Sequence, residues 1–140
     1  MPDSITGGCL CGKIRYTVSQ PLKNIIACHC THCQKASGGG ASFNVVAPAA
    51  AVSFTSGQPK LYADIAQSGN ILKRYFCGDC GSSIYAQREK VPEMMVLKAG
   101  TLDDSDDMRL IMHIWTKSAR PWMHIDPDTE CHPESRPVKT

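Results

Sequence analysis

Three thiols fall within six residues of the chain, where Cys28, Cys30 and Cys33 combine a C-x-C with a C-x-x-C. Side chains two residues apart in an extended segment point to the same face, so Cys28 and Cys30 can present their sulfurs together. A turn after Cys30 can then bring Cys33 to the same point. Three sulfurs at about 2.3 Å suit Zn²⁺ and leave one tetrahedral position open, as in catalytic zinc sites. The alternative is a closed site whose fourth ligand comes from elsewhere in the chain, from among His113, His124, Cys131 and His132.

Two more cysteine pairs lie outside this stretch. Cys9 and Cys11 form a C-x-C between glycines. Cys77 and Cys80 form a C-x-x-C followed by glycine, which is the pattern of a zinc knuckle. Two pairs complete one tetrahedron and predict a closed structural zinc site, which contributes on the order of 10 kcal/mol to folding. A different partition would join the first pair to the three clustered thiols, but it would leave Cys77 and Cys80 short of ligands. Cys131 is left without an assigned role.

Length and charge bound the class of protein. A chain of 140 residues is large enough for one hydrophobic core and predicts a single domain. The net charge of +2 comes from 15 basic and 13 acidic residues without long runs, which gives no indication of a nucleic acid or membrane partner. The first six residues do not resemble a secretory signal, and no apolar stretch approaches the roughly 18 residues of a membrane span. We therefore expect a soluble cytoplasmic protein, in which eight cysteines favour metal ligands or redox chemistry over disulfides.

About nine short strands, punctuated by glycine and proline, predict an all-β, or mainly β, domain. No segment of about ten residues or more shows the helical period. One predicted strand covers residues 24–30 and carries the thiols at its end, and residues 34–40 are predicted to form a flexible glycine-rich loop beside them. A hairpin turn is predicted at residues 67–70. The tail over residues 126–140 is rich in charges and proline, and we predict it to be irregular.

Three ordered motifs carry a family resemblance: GGCLCGKIRY at residues 7–16, CHCTHCQK at residues 28–35 and FCGDCGS at residues 76–82. With them, the chain resembles the glutathione-dependent formaldehyde-activating enzyme (Gfa-like) family over most of its length, which implies one Gfa-like zinc-binding domain at residues 4–125. The resemblance implies a β-tent fold of short antiparallel sheets around a structural zinc. It also implies two zinc ions per chain, one on Cys9, Cys11, Cys77 and Cys80 and one on Cys28, Cys30 and Cys33. The chain departs from the family at Gln34, where many members carry arginine.

The resemblance also implies an activity. In the family prototype, glutathione is the thiol substrate and S-(hydroxymethyl)glutathione is the product. We therefore expect a carbon–sulfur lyase that joins glutathione to formaldehyde, or a related small thiol to an aldehyde, with Cys28, Cys30 and Cys33 as its catalytic residues. The chemistry suits the thiol cluster, because a metal deprotonates a coordinated thiol whose free pKa is about 8.5. The bound sulfur would then be a thiolate at neutral pH, ready to add to an electrophilic carbon.

Three alternatives to a lyase stay open at this point: a non-catalytic zinc scaffold for a protein partner, a glutathione carrier, and a redox or metal-buffering protein. The roles of nearby side chains are open as well. His29 and His32 lie between ligand cysteines, and we expect both to be exposed spacers, with proton transfer as the alternative. The sequence assigns no oligomeric state. Several basic residues could meet the carboxylates of glutathione, and none is assigned to a site: Lys35, Arg74, Lys117 and Arg120.

Overall fold

The computed structural model describes residues 5–136. Within that range the protein is mainly β, with eleven strands and one short α-helix, α1 (Thr31–Ser37). The strands are β1 (Ile5–Gly8), β2 (Arg15–Val18), β3 (Asn24–Cys28), β4 (Ser42–Pro48), β5 (Val52–Ser56), β6 (Lys60–Ile65), β7 (Ile71–Phe76), β8 (Ser83–Arg88), β9 (Met94–Lys98), β10 (Arg109–Ile114) and β11 (Glu130–Cys131). Three single 3-10 turns connect them, at Ala49–Ala51, Ala99–Thr101 and Thr116–Ser118. The prediction of a mainly β protein is confirmed.

The strands form two sheets. Three strands make a small antiparallel sheet in the order β1-β2-β5. The other eight form one sheet in the order β11-β10-β3-β4-β9-β8-β7-β6. In this larger sheet β10 runs parallel to β3 and to β11, and the remaining neighbours are antiparallel, including the predicted hairpin of β6 and β7. No helix in residues 5–136 has the length and hydropathy needed to cross a membrane.

The main core joins the small sheet to one face of the large one. Tyr16 and Val18 from β2 pack in the same buried cluster as Val45 from β4 and Leu97 from β9. Burial alternates along β9, as expected for a strand with one face on a core, so the neighbouring side chains of β4 and β9 point to the other face of the large sheet. That second face lies toward α1 and the 28–33 thiols, and it is the one that matters for function.

Helix α1 is a correction to the predicted loop at residues 34–40. It begins after Cys30, whose sulfur accepts a hydrogen bond from the Cys33 N–H at 3.3 Å, as an N-cap side chain does. It ends at Gly38, which has φ 74° and donates its N–H to the Gln34 carbonyl. The strand predicted over residues 24–30 therefore ends at Cys28. Seven residues make only two helical turns, which is too short for a hydrophobic period to show in the sequence.

The tail also contains more structure than predicted. Glu130 and Cys131 form a short parallel strand beside Met112 and His113 of β10. The backbone of Trp115 donates to the Glu134 carbonyl at 3.1 Å, which continues this contact beyond the strand. Of the tail, predicted to be largely irregular, the described part at residues 126–136 contains one strand of two residues. The last four residues of the predicted tail, and the predicted domain start at residue 4, lie outside the described range.

Candidate metal centres

The structure groups seven of the eight cysteines into two clusters, each with all its sulfurs within 4.8 Å of one another. The first, called here the four-thiol cluster, consists of Cys9, Cys11, Cys77 and Cys80. Its Cys9 and Cys11 sulfurs are 3.5 Å apart, and the Cys11 and Cys77 sulfurs are 3.8 Å apart. A tetrahedral metal with bonds of about 2.3 Å would separate sulfurs by about 3.8 Å. The four-thiol cluster thus has the donor set and the spacing of a closed tetrahedral metal site.

Backbone N–H groups surround the sulfurs of the four-thiol cluster. The N–H of Ile14 donates to the Cys9 sulfur at 3.3 Å, and the N–H of Asp79 donates to the Cys77 sulfur at 3.4 Å. Hydrogen bonds to thiolates offset their charge and orient them on a metal. Hydrogen bonds from Ser82 have the same effect on Cys80 and lower its pKa to about 5. These hydrogen bonds therefore favour the ionised form of Cys80, the form that a metal requires.

The second cluster, called here the three-thiol cluster, consists of Cys28, Cys30 and Cys33. Cys28 ends β3, Cys30 caps α1, and Cys33 lies inside α1, so the helix supplies the turn that the sequence required. All three residues are buried. Hydrogen bonds from the Cys28 and Cys30 thiols lower the pKa of Cys33. The pKa of Cys28 is raised by its hydrogen bonds with Cys30, which has the larger effect, and with Cys33.

No fourth ligand joins the three-thiol cluster within the described part of the chain. His113 is instead hydrogen-bonded to His29, and Nε2 of His132 lies 2.7 Å from a carboxylate oxygen of Glu130. Cys131 is exposed and donates to the Thr129 carbonyl at 3.3 Å. His124, the remaining candidate, is also outside the cluster. Of the two alternatives left by the sequence, the geometry favours a three-ligand site with an open position.

His29 is not the exposed spacer that we expected. It is fully buried, and its Nε2 lies 2.8 Å from Nδ1 of His113. Burial lowers the pKa of both rings. Cys28 and Cys30 point one way from the extended chain, so the residue between them points the other way, toward β10. His29 thus links the segment that carries the three-thiol cluster to β10 through its hydrogen bond with His113.

His32 is also more than a spacer. Its Nδ1 lies 2.9 Å from a carboxylate oxygen of Asp64, which accepts a second hydrogen bond from Nε of Arg74 at 2.9 Å. Burial opposes the charge of Asp64, but hydrogen bonds from His32 and Arg74 outweigh it and lower the pKa of that carboxyl. This chain of three side chains ties α1 to the hairpin of β6 and β7.

A cavity of about 340 Å³ lies beside the three-thiol cluster, between α1, the end of β9 and the turn that follows Cys80. Its charged lining residues are both cations, Arg74 and Lys98. Arg74 had no assigned role from the sequence, and Lys98 was not among the candidate residues. Neither belongs to a motif, and the strand pairing that carries them to the cavity is a long-range feature that no local pattern reveals.

Comparison with known proteins identifies a family. The family model described as glutathione-dependent formaldehyde-activating enzyme matches residues 4–118. Relatives that carry the same name occur in Podospora anserina, Penicillium rubens and Halomonas elongata. They are 32% identical over 93 residues, 32% over 82 residues and 27% over 127 residues. These alignments cover 63%, 59% and 87% of this chain.

The lengths of these relatives differ. The matched part is 43% and 42% of the two fungal proteins, so the chain spans less than half of their length, but it is 81% of the Halomonas protein. A solved structure of a Rhodobacter sphaeroides protein has a TM-score of 0.56 and 23% identity, covering 70% of this chain and 87% of that one. That likeness shows the shared fold alone. Because the family model spans both cysteine clusters and most of the sheet, this chain belongs to the glutathione-dependent formaldehyde-activating enzyme family.

Proposed function

We propose that the protein is a zinc-dependent carbon–sulfur lyase that forms or cleaves S-(hydroxymethyl)glutathione from glutathione and formaldehyde, or a related thiol–aldehyde adduct. The single observation that carries the proposal is the three-thiol cluster: three buried sulfurs and, within residues 5–136, no fourth protein ligand. The substrates are those in the name of the family to which the chain belongs.

Two zinc ions per chain fit the two clusters. Four thiolates are the ligand set of structural zinc, and three thiolates with an open position resemble a catalytic site. We assign the reactive ion to Cys28, Cys30 and Cys33 and the structural one to the four-thiol cluster. Thiolate ligands stay reduced in the cytoplasm, which is where we place the protein.

The proposed reaction adds a thiolate to a carbonyl carbon. When bound, zinc supplies a lowered thiol pKa, so that the glutathione sulfur loses its proton to solvent and remains nucleophilic at neutral pH. The three cysteines that would hold this site are buried, and the cavity lined by Arg74 and Lys98 lies beside them. A sulfur–carbon bond forms as the carbonyl π bond breaks, and the oxygen takes a proton from solvent. The reverse reaction returns the aldehyde and the thiol. Positioning of this kind can contribute several kcal/mol to lowering the barrier.

The test is two-dimensional exchange NMR of formaldehyde, glutathione and their adduct at micromolar protein. We expect faster exchange in both directions with unchanged equilibrium amounts. Cys30→Ser is the matched control, because serine retains the N-cap of α1 while the three-thiol cluster loses one ligand. Equal exchange rates with wild type, variant and no protein would overturn the enzyme proposal. Glutathione binding without faster exchange would then indicate a carrier, and no binding would indicate a scaffold.

A further inference from the structure

Lys98 lies on the face of the large sheet that points toward the three-thiol cluster. It pairs with Asn44 across β9 and β4, next to the pair of Leu97 and Val45, which faces the main core. Neighbouring positions on a strand alternate in direction, so Lys98 and Asn44 point to the opposite face. Two residues before Asn44 on the same strand, Ser42 pairs with Cys28. One row of side chains thus leads from Lys98 to the thiols.

Hydrogen bonds follow this row. The Lys98 ammonium donates to Oδ1 of Asn44 at 2.7 Å, and Nδ2 of Asn44 lies 2.9 Å from Oγ of Ser42. A lysine offers three donors, and Asn44 takes one of them. The Asn44 amide therefore holds the ammonium at the cavity, and because the amide is neutral it does not neutralise the positive charge.

The charge of Lys98 is not balanced by a carboxylate. Within residues 5–136 no acidic side chain forms an ion pair with it, whereas Arg74, the other cation in the cavity, is paired with Asp64 at 2.9 Å. Burial lowers the pKa of Lys98, and the hydrogen bond to Oδ1 of Asn44 holds its ammonium in place. Of the two cations in the cavity, Lys98 is thus the one whose charge no carboxylate pairs with in residues 5–136.

The count of charges assigns a role to the Lys98 charge. A divalent ion with three thiolate ligands has a net charge of −1. An anionic fourth ligand makes the net charge −2. A neutral fourth ligand leaves the charge unchanged. Because electrostatic repulsion over a few ångströms in a partly buried site is strong, a nearby cation changes the affinity for an anion far more than the affinity for a neutral molecule.

We propose that Lys98 is the specificity-determining residue of the open position, the positive charge that allows it to take an anionic thiolate in preference to a neutral ligand. The inference deepens the proposed function, on which it rests, by assigning thiolates as the ligand class of this site. Lys98 acts through its charge and position and forms no bond to the ligand in this proposal. Asn44 and Ser42 serve to hold that charge in place.

The test uses the cobalt-loaded full chain and follows ligand binding by the absorption spectrum, with no turnover involved. Wild type, Lys98→Met and Lys98→Arg are titrated with glutathione, with 2-mercaptoethanol and with imidazole, which is neutral. We expect Lys98→Met to bind both thiols at least ~10-fold more weakly and imidazole nearly unchanged. Lys98→Arg should restore thiol binding, since it restores the charge.

Two results would overturn the proposal: thiol affinity unchanged in Lys98→Met, or thiol and imidazole affinities weakened equally, which is the mark of a structural role. If Lys98→Met fails to load two cobalt ions, Lys98→Gln decides in the same assay, since its amide can still bond to Asn44. Failure of the proposed function looks different. In that case wild type would not bind glutathione, but it would bind 2-mercaptoethanol with an affinity that falls in Lys98→Met.

Discussion

Nε2 of His29 lies 2.8 Å from Nδ1 of His113, and the two rings are among the most buried polar groups of the described chain. Two neutral imidazoles can share this contact only if one nitrogen donates and the other accepts. The hydrogen bond joins His29, which lies between Cys28 and Cys30, to β10 and so helps to hold the segment that carries the three-thiol cluster.

This histidine pair predicts a pH dependence of stability. Burial lowers the pKa of His29 and His113 below the ordinary value of 6.5, so the unfolded chain takes up protons at a higher pH than the folded one. The free energy of unfolding should therefore be highest above about pH 6.5 and fall as the pH drops toward the folded values. His113→Gln removes one titrating ring, keeps a hydrogen-bonding amide, and should lose about 1 kcal/mol less between about pH 7.5 and 5.5.

Urea unfolding at the two pH values, with zinc in excess and metal content checked, measures that difference. Both proteins keep the same cysteines, so proton competition at the metal sites affects them equally. Parallel pH profiles for wild type and His113→Gln would show that the pair does not control stability in this range.

The two cysteine clusters should respond differently to the same substitution. Cys77→Ser opens the four-thiol cluster, which joins the turn after β1 to the turn after β7, and should cost several kcal/mol or yield insoluble protein. Cys30→Ser should remain folded and lose one zinc, because the three-thiol cluster closes only a short loop. Metal analysis and thermal unfolding of the two variants give the comparison. Equal destabilisation would mean that both clusters hold the fold together.

Binding of glutathione through its sulfur at the metal can be distinguished from binding elsewhere on the protein. If its sulfur takes the open position, glutathione should strengthen the thiolate-to-cobalt charge-transfer bands of the cobalt-loaded protein. S-methylglutathione has no ionisable thiol and should leave the bands unchanged. The same spectrum with both compounds would place any binding away from the metal.

The sequence predicted the parts of the site that depend on local spacing. Cys9 and Cys11 form one short motif, and Cys77 and Cys80 form another. The count of ligands in a tetrahedral site then predicts that the two motifs come together. Lys98 lay beyond that reasoning because its place depends on the register between β4 and β9. A lysine at the end of a strand is usually solvated, and nothing local distinguishes this one.

Two of the corrections near the three-thiol cluster, helix α1 and His29, have clear physical causes. Helix α1 owes its start to a cysteine cap and its end to Gly38, and its two turns are too few for periodicity to reveal. His29 is polar, so an exposed position was the natural expectation, but its partner His113 is 84 residues away along the chain. Long-range contacts of this kind decide burial without leaving a trace in the local sequence.

Gln34 supplies the last prediction, because it joins α1 to the segment after β10. Its Nε2 donates to the carbonyls of His29 at 2.8 Å and Ser118 at 2.9 Å, and its Oε1 accepts from Nε of Arg120 at 2.8 Å. Gln34→Ala leaves two partly buried carbonyls without a donor and should cost about 1–3 kcal/mol of stability.

Arg120→Ala is the matched control for Gln34→Ala. It removes only the exposed partner of the same amide and should cost well under about 1 kcal/mol. Because Gln34 directly follows Cys33, we also expect Gln34→Ala to bind the second zinc more weakly, while Arg120→Ala retains it. Urea unfolding and a competitive chelator titration measure the two effects. If both variants lose stability and zinc affinity to the same extent, the two carbonyl contacts of Gln34 do not position the helix that carries Cys33.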